Sequence, residues 1–135
     1  MSCILRVSGP HLDVDALLRV TDIKPYSVWR KGEANYRKKI HSESGAQFIA
    51  SDADLNEFDR QVTESTDFIE RHSRTISALA SFPGVDCAML NFGIELRGDE
   101  VAKIDFLPLR FLKAVASTGI EVQLSHYYCS EDEES

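Results

Sequence analysis

Two stretches in the second half of the chain alternate apolar and polar residues with the period of a half-buried β-strand. They are residues 90–97 and 120–128, and a short helical pattern that begins at Pro108 and ends at Gly119 lies between them. A helix that follows one strand and precedes the next must pack its apolar face on a sheet. The sequence therefore predicts a fold that combines helices with a sheet.

The other segments predict further elements from the same patterns. In chain order they are a strand at residues 3–7, a short helix capped by Asp13, a strand at 36–41, a hairpin turn at Ser44 and Gly45, a strand at 46–50, a long amphipathic helix at 55–79 that is continuous or broken near Ser65 and Thr66, a strand at 85–97 and an extended coil at 101–106. The segment before residue 36 is interpreted as coil.

The resulting order is β-α-β-β-α-β-α-β. We expect an α+β fold with a mixed or antiparallel sheet covered by helices, in which a ferredoxin-like β-α-β-β-α-β core is extended by one α-β unit. Residues 1–129 are predicted to form a single domain. Four of the last five residues are acidic in a chain of net charge −7, so residues 130–135 are predicted to be an acidic disordered tail.

The composition indicates a soluble protein. A chain of 135 residues is long enough for one hydrophobic core, and no apolar run approaches the roughly 20 residues that span a bilayer. The N-terminal sequence MSCILRVSG lacks the basic region and the long apolar region of a signal peptide. We therefore expect a cytoplasmic protein with no membrane contact.

Sequence motifs for catalysis are not found. The chain has no metal-spaced histidines, phosphate-binding glycine loop or nucleophile elbow, so we expect no enzyme activity, no cofactor and no metal. His72 is expected at the edge of the core, and His126 is expected to pair with Glu95 or Asn91, as a structural hydrogen bond in preference to a general base. Free buried thiols are expected at all three cysteines, Cys3, Cys87 and Cys129.

The segment with the most functional promise is basic and aromatic. Six lysines and arginines in residues 24–41 accompany a single acid, Glu33. Cations beside aromatic rings can bind an acidic or phosphate-rich partner, and tryptophan is either a core anchor or an interface hot spot. The candidate interaction patch therefore consists of Trp29, Arg30, Lys31, Tyr36, Arg37, Lys39 and His41.

A neighbouring segment has the opposite charge. Residues 52–70 carry seven acids and one base, Arg60. The leading interpretation is that the two segments neutralise each other within the fold. The second interpretation is that the basic segment is a patch that binds a protein. Nucleic acid is disfavoured as a partner, because a chain of net charge −7 gains little from counterion release.

Several short motifs are distributed over nearly the whole chain. They include Trp29-Arg30-Lys31-Gly32-Glu33, Phe82-Pro83-Gly84-Val85, Asn91-Phe92-Gly93-Ile94-Glu95-Leu96-Arg97 and the ending Leu107-Pro108-Leu109-Arg110-Phe111-Leu112 followed by Gly119-Ile120-Glu121-Val122. Together they resemble an uncharacterised bacterial family, domain of unknown function 4279. The resemblance rests on packing and turn residues and implies no activity; its one functional hint is a loose association of such small domains with toxin–immunity loci.

We therefore expect a non-catalytic protein-interaction module of an immunity-like or regulatory kind. One alternative is a homo-oligomeric structural protein that associates through unpaired strand edges or the long helix. Another is a small-ligand or anion binder at the basic loop 24–41, with a pocket that uses Arg30, Arg37 and His41.

Overall fold

The computed structural model describes Ser2 to Cys129 and has the predicted α+β architecture. Its elements are β1 (Cys3–Gly9), α1 (Val14–Leu18), β2 (Ser27–Trp29), β3 (Ser44–Ser51), α2 (Phe58–Arg71), α3 (Ser73–Ala80), β4 (Cys87–Arg97), α4 (Leu109–Thr118) and β5 (Glu121–Cys129). The predicted acidic tail at residues 130–135 lies outside the described residues.

Strand β1 lies at the centre of a five-stranded sheet with the order β2-β3-β1-β4-β5. It is antiparallel to both β3 and β4, β2 is antiparallel to β3, and β5 is parallel to β4. The sheet is therefore mixed, as predicted. The ferredoxin-like description of the first six elements stays a prediction, since α1 has only five residues and β2 only three.

One face of the sheet is buried under the helices. Leu5 of β1, Phe48 of β3 and Phe92 of β4 are fully buried on this face. The residues that alternate with them along each strand point to the other, partly exposed face. The ring centroid of Phe92 lies 5.3 Å from that of Phe58 on α2 and 5.6 Å from that of Phe111 on α4. This aromatic cluster joins β4 to two of the helices that cover it.

The long predicted helix is two helices, but the break is not where the sequence placed it. Ser65 and Thr66 lie inside α2, where both hydroxyls donate hydrogen bonds to the carbonyl oxygen of Val62, so their polar groups are satisfied without a break. The chain leaves helical dihedral angles at His72, with φ −111° and ψ 26°. The His72 ring is half-buried and lies 5.1 Å from that of Phe68, which confirms its position at the core edge.

The predicted hairpin around Ser44 and Gly45 is wrong. Both are buried residues at the start of β3, and the strand that pairs with β3 is β2, in the segment predicted as coil. A Ser-Gly pair is typical of a turn, but Gly45 is required here for space. A Cβ atom at Gly45 would lie 2.4 Å from Cζ2 of Trp29, so only glycine lets the indole lie against the strand.

The predicted strand at residues 36–41 is also wrong. A single bridge, between Ala34 and Ile40, is present in this region. The side chain of Asn35 holds the segment in a local turn, and such side-chain-to-backbone bonds compete with strand pairing.

The remaining boundaries follow their predicted signals. The backbone N–H of Ala16 donates to Oδ1 of Asp13 at 3.1 Å, and α4 begins after Pro108 and ends at Gly119, which has a φ of 76°. Residues 101–106 have no regular structure. Of the helices between Ser2 and Cys129, none is both long enough and apolar enough to cross a bilayer.

We predict that Phe92→Ala lowers the free energy of unfolding by about 3–5 kcal/mol, the usual cost of removing a core aromatic ring. Urea denaturation measures the change. Tyr36→Ala is the control because Tyr36 is 87% exposed, and it should alter stability by no more than about 0.5 kcal/mol. Equal losses in the two variants would contradict the central place of Phe92 in the core.

Candidate interaction surface

Trp29 lies at the β2 edge of the sheet, on the face that the helices leave open. It pairs with Gly45, and its indole occupies the space that a side chain there would need. The guanidinium of Arg6 lies 4.7 Å from the indole centroid, a cation–π contact, and the His41 ring is 6.3 Å away. Trp29 is half-buried, so it packs on the sheet and still reaches the surface.

Arg6 connects this tryptophan to a second charged group. Its Nη2 lies 2.9 Å from Oε1 of Glu43, and the two side chains are about one third exposed, at 34% and 32%. Arg6 thereby ties the central strand to the residue just before β3. Sequence reasoning missed Arg6 as a site residue, although a lone cation in the middle of an apolar strand was a usable signal.

Arg30 is held by an intramolecular partner on α1. Its Nη2 and Nε donate to the two carboxylate oxygens of Asp15 at 2.6 and 3.2 Å, a bidentate arrangement. This hydrogen bonding lowers the pKa of Asp15 and raises the pKa of Arg30. Both side chains are exposed, so the pair contributes little to stability, but it occupies the guanidinium of Arg30.

Residues 30–41, here called the basic hairpin, form a loop whose shape is set by internal hydrogen bonds. Oδ1 of Asn35 accepts from the backbone N–H groups of Arg37 at 2.8 Å and Lys39 at 3.1 Å, the pattern of an Asx turn. Lys38 between them has a positive φ of 61°. Two backbone hydrogen bonds of 2.9 Å join the two ends of the loop.

The tip of the basic hairpin is exposed and carries cations beside apolar groups. Tyr36 is 87% exposed and Ile40 66%, and the Arg37 guanidinium lies 5.3 Å from the Tyr36 ring centroid. Within residues 2–129, no carboxylate forms an ion pair with Lys31, Arg37 or Lys39. The hairpin therefore presents positive charge that the described fold does not neutralise.

The seven predicted patch residues occupy one edge of the sheet but do not form one cluster. Trp29 and His41 contact each other, as do Tyr36 and Arg37. The pocket hypothesis needs Arg30, Arg37 and His41 to converge on a ligand. Each of those three side chains contacts a different neighbour, so the structure gives this pocket no support.

Acidic residues of α2 pair with cations outside the basic segment, so these ion pairs give no support to the predicted neutralisation of that segment by residues 52–70. Nε of Arg60 donates to Glu64 at 3.0 Å, and Arg110 of α4 contacts Asp67 at 2.9 Å and also Glu70. Hydrogen bonding to Arg110 lowers the pKa of Glu70. Helix α2 covers the buried face of the sheet, whereas Trp29 at the base of the hairpin lies on the open face.

The predicted pairing of His126 with Glu95 or Asn91 is wrong because of the register between β5 and β4. His126 lies opposite Ile94 on β4, so Asn91 and Glu95, at odd positions of that strand, point to the other side of the sheet. Asn91 instead accepts a hydrogen bond from the Ser125 hydroxyl at 2.7 Å.

Cys3 and Cys87 carry free thiols. Cys3 is fully buried, and burial raises the pKa of its thiol, which makes it unreactive. Cys87 and Cys129 are half-buried where full burial was predicted. No group of three or more metal-binding side chains occurs between Ser2 and Cys129.

Two surface depressions were not predicted. On the open face, a depression of roughly 330 Å³ is lined by residues of four strands, Ile4, Arg6, Gln47, Met89, Asn91 and Gln123. On the helical face, a groove of roughly 670 Å³ lies between α4 and the helices α2 and α3. The residues that line each depression are far apart in the sequence, so only the strand order and the helix packing bring them together.

We predict that Gly45→Ala displaces the indole of Trp29, because the new Cβ would overlap its ring. Trp29 is the only tryptophan, so the emission maximum of intrinsic fluorescence reports its environment and should move to longer wavelength. Ala34→Ser, an exposed change in the basic hairpin, is the control and should leave the spectrum unaltered. An unchanged spectrum in Gly45→Ala would contradict the packing of Trp29 on the sheet.

No curated protein and no solved structure matches the chain. The family model described as "Domain of unknown function (DUF4279)" matches residues 1–130. Since that match covers nearly the whole chain, the protein belongs to the DUF4279 family.

Proposed function

We propose that this chain is a non-catalytic protein-interaction module of a regulatory or immunity-like kind, and that it binds an acidic segment of a partner protein through the basic hairpin. The observation that carries the proposal is the set of exposed cations at the hairpin, Lys31, Arg37 and Lys39, which have no carboxylate partner within residues 2–129.

The order within the hairpin supports a binding role. The Asx turn at Asn35 and the bridge between Ala34 and Ile40 restrict the loop before any partner arrives. At its base, Trp29 is fixed between Gly45 and Arg6. A loop that is already ordered loses less conformational entropy on binding, and that saving increases affinity.

The chemistry of the tip favours a protein partner. Tyr36 and Arg37 form an exposed aromatic–cation pair, and tyrosine and arginine are two of the residue types most enriched among interface hot spots. The adjacent Ile40 adds an exposed apolar side chain. A surface of mixed apolar and positive character complements an acidic, partly apolar protein segment.

Electrostatics disfavour nucleic acid as the partner. The chain has a net charge of −7, and carboxylates of α2 pair with Arg60 and Arg110. A phosphate backbone that reaches beyond the hairpin would meet repulsion from the rest of the surface. A short acidic protein segment can contact the hairpin alone.

We predict that the double variant Arg37→Gln/Lys39→Gln weakens binding to poly-glutamate, a probe for an acidic segment. The loss should be about 2- to 30-fold, which corresponds to two exposed ion pairs of about 0.2–1 kcal/mol each. Fluorescence titration at low salt measures the affinity, which should fall as salt screens the charges.

Arg74→Gln/Lys113→Gln is the matched control, because it removes the same charge from exposed sites on α3 and α4. It should bind poly-glutamate as the unaltered protein does. Equal weakening in both double variants, or tighter binding of single-stranded DNA than of poly-glutamate, would refute the proposed role of the hairpin.

A further inference from the structure

The two edges of the sheet differ in how well they are protected against pairing with another strand. The β2 edge has only three residues, follows Pro25 closely and continues into the basic hairpin. The β5 edge has nine residues, Glu121–Cys129, paired with β4 in an unbroken register. It contains no proline, lysine, arginine or bulge, the usual means of protecting an edge strand.

The side chains of β5 are exposed on both faces of the sheet. Leu124 and Tyr128 point to the helical side and are 40% and 70% exposed, and Tyr127 on the open side is 52% exposed. On α4, the helix that precedes β5, Leu112 is 46% exposed. Exposed apolar groups beside free backbone donors and acceptors are typical of an interface between strands.

The sequence of β5 is complementary to itself in the antiparallel direction. With Ser125 opposite its own copy, Val122 meets Tyr128, Gln123 meets Tyr127 and Leu124 meets His126. A β-branched residue opposite an aromatic ring is a favourable cross-strand pair. Glu121 faces the thiol-bearing Cys129, so no two like charges lie directly opposite within the strand.

From these observations we propose that two copies of the chain associate by antiparallel pairing of their β5 strands about a two-fold axis at Ser125. The product is a continuous ten-stranded sheet, since each copy contributes five strands. The axis is perpendicular to the sheet, so both sets of helices lie on the same face and the exposed Leu124 and Leu112 of one copy lie near those of the other. A closed two-fold interface of this kind uses the same surface on both subunits.

The test measures molar mass by light scattering at micromolar concentration. The unaltered chain should give about twice its 15.2 kDa mass. Leu124→Lys adds a cation to the edge and should give the monomer mass. Ile40→Lys, the same change at an exposed site on the opposite edge, should remain dimeric. A monomeric unaltered chain, or a dimeric Leu124→Lys variant, would overturn the proposal.

A cross-linking experiment tests the register without relying on the folding of Leu124→Lys. In a Cys87→Ser/Cys129→Ser background, Ser125→Cys places one thiol beside its copy, because directly opposite Cβ atoms lie about 4.5–5.5 Å apart. Oxidation by dissolved oxygen should then give a covalent dimer. Gln123→Cys should give none, because its mate in this register is Tyr127; equal cross-linking of the two variants would refute the register.

Discussion

The pairing of β1 with a strand on each side is the constraint on which the rest of the structure depends. Cys3–Gly9 is antiparallel to β3 on one edge and to β4 on the other, so its alternation of buried and partly exposed residues fixes which face of both neighbours is buried. A slip of β1 by one residue would place Leu5 on the opposite face of the sheet from its partners Phe48 and Leu90. The helices then cover the face that this register makes apolar.

The same register divides the surface into two regions with different properties. Arg6 is directed to the open face and holds Trp29 at the β2 edge, where the basic hairpin presents its charge. The apolar edge strand β5 lies at the opposite end of the sheet. If both proposals are correct, a dimer formed through β5 carries a basic hairpin at each of its two far edges and can bind two acidic segments together, with the gain in avidity that bivalence provides.

Periodicity and termination signals were sufficient to predict elements whose structure is local. The strands β1, β4 and β5 and the helix α4 follow from alternation, from Pro108 and from Gly119. The hairpin turn before β3 was mispredicted because a Ser-Gly pair is typical of a turn. The actual role of Gly45 depends on Trp29, which is 16 residues away in the sequence. Likewise, the partners of the α2 carboxylates could not be predicted, because Arg110 reaches them only after α4 packs on α2. The aromatic and basic residues of the candidate patch were identifiable from composition, but Arg6 and Glu43 required the sheet order.

The most direct test of the binding role is to map the contact by NMR, with ¹⁵N-labelled protein titrated with an acidic peptide. The proposed function predicts chemical-shift changes at the indole N–H of Trp29 and at the backbone amides of residues 30–41, with the amides of β5 unchanged. Changes centred on β5 or on the open-face depression, with the basic hairpin unaffected, would contradict it.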